Sequence, residues 1–203
     1  MVFQRRRPPE DIERRIEGLQ VEALQCMIPG EAATPLNQAG DILLRSGDPA
    51  GALELYGQAV DSLVEADRFE AAMGLCNKII RTVPHVVRAR CTLAWLAIGA
   101  GFTGELPSRV GEYVSAAEAC GRENIAQGHV RMMADLVDIH DVRIMLGEYL
   151  LYLGDDRAAN LLFGEIYSER NTGTKRSVAK EDRWRGVRQA ALMNMRKGAA
   201  MVA

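Results

Sequence analysis

Two stretches of this chain are copies of one another, and that internal echo limits what the chain can fold into more than any other feature. Leu36–Ala59 reads LNQAGDILLRSGDPAGALELYGQA, and Val142–Ile166 reads VRIMLGEYLLYLGDDRAANLLFGEI. Aligned, Gly40 falls on Gly147, Gly47-Asp48 on Gly154-Asp155, Ala52 on Ala159 and Tyr56 on Phe163. A supersecondary unit used more than once marks a repeat architecture, in which neighbouring units bury one another's apolar faces. Repeat proteins present surfaces, so the pattern points to binding.

Punctuation by Gly, Pro and Asp divides the chain into helical segments. Helices are predicted over 9–26, 35–46, 49–66, 68–82, 86–100, 107–120, 122–137, 141–153, 155–169 and 179–197. Asp67 is expected to cap the fourth, and Asn171 to Ser177 to form a polar linker. No segment alternates with period two over a strand's length. Aromatic residues are 5% of a chain that is 48% apolar, a balance that favours close-packed helices.

The residues of the echo resemble the tetratricopeptide repeat. That family has a small pair inside a first helix, Gly-Asp at the turn, then Ala, an aromatic and Ala in the second helix. Here these are Ala39-Gly40, Gly47-Asp48, Ala52, Tyr56 and Ala59. The second copy has Leu146-Gly147, Gly154-Asp155, Ala159, Phe163 and Ile166. Asp67-Arg-Phe-Glu-Ala-Ala with Ile79 and Pro84 resembles a further second helix and its terminating proline. The phrase Leu75-Cys76-Asn77-Lys78-Ile79 is similar to one in bacterial tetratricopeptide-like proteins. The resemblance covers residues 33–170 and implies an all-α, right-handed superhelix of helical hairpins. Its spacing departs from the family's 34 residues. Gly47, Gly101 and Gly154 are 54 and 53 apart, as are Gly40, Ala94 and Gly147. The unit therefore reads as three helices used three times, over 35–84, 86–138 and 141–197. An odd number of helices per unit leaves open whether Trp95, which aligns with Asp41 and Glu148, faces outward.

Three parts follow: a charged N-terminal helix and linker (1–34), the repeat domain (35–170), and a polar linker with a basic capping helix (171–203). Net charge is −2, yet residues 171–203 carry +6, leaving −8 on the rest. Trp184, Val187, Leu192 and Met195 form the apolar stripe of that last helix. The stripe is expected to dock on the helix over 155–169; docking on a partner or on a second copy, and contact with nucleic acid or an anionic membrane surface, are the other uses open to this helix. Arg5-Arg6-Arg7 is followed by Pro8-Pro9-Glu10 and not by an apolar run, so no secretory signal is expected. Cys26, Cys76, Cys91 and Cys120 lack metal-type spacing and read as buried free thiols of the cytoplasm.

No nucleophile elbow, phosphate loop or dinucleotide fingerprint is present. The cluster Asp135, Asp138, His140, Asp141 has metal-capable side chains, but it straddles a helix junction where Asp serves as a cap. The chain is thus expected to be non-catalytic, with no cofactor and no metal. In the two clear copies, Asn37, Asp41 and Arg45, and Ile144, Glu148 and Tyr152, are expected to line a groove for a protein segment. The alternatives are a self-assembling structural subunit joined through terminal helices, and a regulatory module touching nucleic acid through its basic tail. No membrane span is expected.

Overall fold

A computed structural model describes residues 10–102 and 104–196, with side chains as far as Leu192. The described residues form ten helices and no strand: α1 (Glu10–Gln25), α2 (Ala33–Arg45), α3 (Pro49–Glu65), α4 (Phe69–Thr82), α5 (Val87–Ala100), α6 (Leu106–Ala119), α7 (Glu123–Leu136), α8 (His140–Tyr152), α9 (Asp156–Thr172) and α10 (Lys180–Arg196). The fold is all-α. Among the described residues no helix is long and apolar enough to cross a membrane.

The three-helix period is written into the backbone. The helices α2, α5 and α8 begin at 33, 87 and 140, and α4 and α7 at 69 and 123. Left-handed residues recur in the same register. Gly47, Gly101 and Gly154 end the first helix of each triple, and Asp67, Gly121 and Gly173 end the second, with φ between 58° and 85°. At the first five, the next amide reaches back to close the helix, as Asp48 N–H does to Leu43 O (2.9 Å) and Arg122 N–H to Ala117 O (2.9 Å). This is the Schellman closure, which satisfies carbonyls the helix end would leave orphaned. The third helix of a triple leaves differently. Val83 and Val137, 54 residues apart, are both extended. Tight turns join helices within a triple, and extended links join one triple to the next.

Asp67 does not cap α4, as its sequence context suggested; it occupies the left-handed position after α3, and Arg68 stands at the cap. Asp and Asn are the non-glycine residues that tolerate this geometry best. True side-chain caps occur at Asp48, which accepts from Gly51 N–H, and at Asp155, which accepts from Ala158 N–H. The predicted linker starts later than expected because α9 runs to Thr172, whose hydroxyl bonds back to Ser168 O.

The chain divides by its contacts into two units, with boundaries at Ala89/Arg90 and Ala190/Ala191, inside α5 and α10. In the first unit α2 packs on α1 and α3, and α3 on α4. In the second, α6 packs on α7, α7 on α8 and α8 on α9, and α8 also packs on α6. Every residue from Cys91 to Gly99 is buried, as an apolar surface running all round a helix requires. Trp95 is fully buried, which corrects the possibility that it faces outward.

Candidate interaction surfaces

The two halves of the expected groove differ. On α2, Asn37 and Asp41 are engaged within the first unit. Lys78 of α4 donates to Asn37 Oδ1 (2.7 Å) and to Asp41, and its ammonium sits 4.6 Å from the centre of the Tyr56 ring. Tyr56 Oη also donates to Asp41 Oδ1. Burial alone would raise the Asp41 pKa, but the hydrogen bonds from Lys78 and Tyr56 outweigh it and hold the carboxyl below the usual range. Arg45 is exposed and donates through Nε to Asp41 O; with Ile42 it borders a cleft whose other wall is Ile12 and Leu19 of α1.

On α8 the equivalent residues are open. Glu148 is exposed, Ile144 is half-buried, and Tyr152 is 63% exposed with Leu151 beside it at 43%. The face is braced from below. Tyr152 Oη donates to Glu118 Oε2 of α6 (2.7 Å), and the Tyr149 hydroxyl lies over Gly111, where a Cβ would come within 2.6 Å of it. A helix crossing this close needs glycine at the contact.

The C-terminal helix docks elsewhere than expected. Trp184 lies on Gly99 of α5, where any side chain would overlap the indole, and Leu136 at the end of α7 fills the space over Gly186. Val187 is fully buried and Leu192 half-buried, while Met195 falls outside the described side chains. The expected seat, α9, lacks a counterpart to these glycine notches at its exposed Gly164. Arg183 of α10 pairs with Asp138 (3.1 Å), Arg176 with Asp135 (3.8 Å) and Glu165 (3.7 Å), and Arg185 with Asp182 (2.8 Å).

Those pairs also dissolve the acidic cluster seen in the sequence. Asp135 and Asp138 face arginines, His140 Nε2 lies 2.8 Å from Glu169 Oε2, and Asp141 is 3.9 Å from Arg170. Among the described residues no three His, Cys, Asp or Glu side chains come together as a metal site.

Two polar clusters escaped sequence reading. Arg143, with its side chain fully buried, donates to both carboxylate oxygens of Glu169 (2.8 and 2.7 Å) and to Glu165 Oε2 (2.8 Å). The Arg143 guanidinium holds Glu169 below its ordinary pKa, against burial, with His140 adding to the effect. In the other cluster Tyr113 Oη lies 2.6 Å and Cys91 Sγ 3.3 Å from His129 Nδ1, and Trp95 meets the imidazole edge-on. Burial lowers the His129 pKa and pushes the Cys91 thiol up to about 12. A neutral imidazole carrying its proton on Nε2 accepts from Tyr113. A Cys–His pair in this state is a packed thiol, since nucleophilic cysteines need a depressed pKa. Cys76 is a buried free thiol, but Cys120 is exposed and Cys26 half-buried, so the expectation of four buried thiols holds only for part of the set.

No protein-family model matches the chain, and neither a curated protein nor a solved structure proves similar to it.

Proposed function

We propose that this chain is a non-catalytic scaffold, akin to the tetratricopeptide repeat, that binds a segment of another protein across α8. One observation carries the reading. The exposed Glu148, Leu151 and Tyr152 form a mixed apolar and acidic strip, held in place by Tyr149 and Tyr152 against α6. A rigid aromatic anchor beside a charge is what a peptide-binding surface offers, because little side-chain entropy is lost on binding. The α2 residues are less available, since Lys78 already holds Asn37 and Asp41, and Tyr56 holds Asp41.

Arginines 176, 183 and 185 are engaged by carboxylates of the chain itself, which favours a protein ligand over nucleic acid. Unpaired cysteines fit a reducing compartment such as the cytoplasm. The test is capture of binding proteins by the full chain, quantified against its Glu148→Ala, Tyr152→Ala and Asn37→Ala variants. The first two should each lose a bound protein at least tenfold, while Asn37→Ala retains it. Equal retention by all three would overturn the reading. Binding that collapses between low and moderate salt and follows the tail would favour nucleic acid instead.

A further inference from the structure

The second helix of each triple carries one stripe at i, i+3 and i+7. It is Gly57, Val60, Val64 in α3, Gly111, Val114, Glu118 in α6, and Gly164, Tyr167, Asn171 in α9. In the first triple the stripe is buried, and in the second it is covered by the first helix of the triple that follows. Arg88 of α5 sits over Gly57, and Val60 and Val64 are buried. Tyr149 of α8 sits over Gly111, Val114 is buried, and Tyr152 bonds Glu118. Among the described residues the same stripe in α9 is exposed. A Cβ on Gly164 would meet nothing within 4 Å, Tyr167 is 70% exposed, and its neighbour Leu161 is 62% exposed. Leu161 stands where α3 and α6 have Glu54 and Ser108, so at that position the open face is the more apolar one.

We infer that this face of α9 joins two copies of the chain about a two-fold axis passing beside Gly164. Three observations select a second copy, and this geometry. Growth by adding a triple from another copy would need a free α2, but α1 packs on α2 and borders its Ile42 side. Copies that cannot add head to tail can still pair face to face, and isologous pairs are the commonest protein assemblies. The face is also self-complementary. Antiparallel pairing about Gly164 sets Leu161 on the partner copy's Tyr167 and Asn160 on its Ser168, each twice, with glycine at the crossing and no like charges opposed. All of these residues are exposed within the single chain. The α8 strip proposed to bind protein is on another helix and remains free in the pair.

The test uses the full chain. Sedimentation velocity should give twice the 22.3 kDa chain mass at micromolar concentration. Tyr167→Glu and Leu161→Lys should each return it to monomer with unchanged helical circular dichroism, both side chains being exposed. In a Cys26→Ser, Cys120→Ser background, Gly164→Cys should form a disulfide-linked dimer that dithiothreitol reverses, whereas Glu148→Cys should not. A wild-type monomer up to about 100 µM, dimers that survive both charge substitutions, or cross-linking through residue 148 in preference to 164 would each overturn the inference. Loss of the dimer in Tyr167→Glu with retained capture of the α8 ligand separates this result from the fate of the proposed binding function.

Discussion

Gly147 shows how one absent methyl fixes a helix pair. A Cβ there would lie 2.5 Å from Phe163 Cε1, and one on Gly40 would lie 2.6 Å from Tyr56 Cε1. The middle triple meets the same constraint differently, with Ala94 and Val110 at the equivalent positions, both fully buried. A large second residue demands glycine opposite, and a smaller one admits alanine; the shared volume is conserved. Gly147→Ala should therefore cost about 1–3 kcal/mol by overpacking, measured by urea denaturation. Adding Phe163→Val should recover part of that loss, giving a favourable coupling in a double-mutant cycle. Purely additive losses would show that the two positions do not share the space. These positions were legible in the sequence because glycine and an aromatic recur together. His129 was not: its equivalent in the first triple is Leu75, so the repeat gave no hint that an imidazole would be needed to accept from Tyr113.

Among elements, the polar clusters make pH a probe of which helices are held together, and each acts in its own window. His129 has a folded pKa below its unfolded value near 6.5. The unfolded chain therefore takes up the proton first. The stability associated with the neutral ring is fully present above about pH 6.5 and is lost as pH falls toward the folded value. His129→Leu combined with Tyr113→Phe should flatten the dependence of urea midpoint on pH in that window; an unchanged slope would remove His129 as its source. Glu169 acts lower. Its folded pKa is depressed by Arg143, so its contribution is present above about pH 4.3 and falls as pH drops through the folded pKa. Glu169→Gln should remove that lower step and leave the upper one. Arg143→Leu should cost about 3–5 kcal/mol at neutral pH, because it leaves Glu169 without its main partner in a mostly buried site. A cost under about 1 kcal/mol would mean that His140 and solvent replace the arginine. Nothing in the sequence marked Arg143: near the start of an amphipathic helix, arginine usually lies on the solvent side, and its burial arises only because Glu165 and Glu169 of α9 converge on it. The helices themselves were readable, since Gly, Pro and Asp end them for reasons local to the chain.

At the scale of the molecule, a repeat makes each triple a control for the others. The turns at 47, 101 and 154 and at 67, 121 and 173 recur in the same register, so a stripe buried at Val60 and Val114 and exposed at Tyr167 is informative. Sequence revealed the period but not this asymmetry, because Gly164 looks like Gly57 and Gly111 until one knows what stands opposite. The last helix was expected to cover α9; instead Trp184 seats on Gly99 of α5 and Leu136 of α7 seats on Gly186, and among the described residues the stripe stays open. If two copies close over it, binding adds to the stability of the folded state and makes it depend on protein concentration. The thermal midpoint should rise with concentration, by several degrees over a hundredfold range above the dimer dissociation constant, and Tyr167→Glu should abolish the rise. Amide exchange sharpens the expectation. Raising the concentration should slow exchange through α9 around Leu161–Ser168, while α3 and α6, where Val60 and Val114 are already buried within one chain, exchange at unchanged rates. Equal slowing in all three helices would point to a general rise in stability and not to a pairing surface on α9.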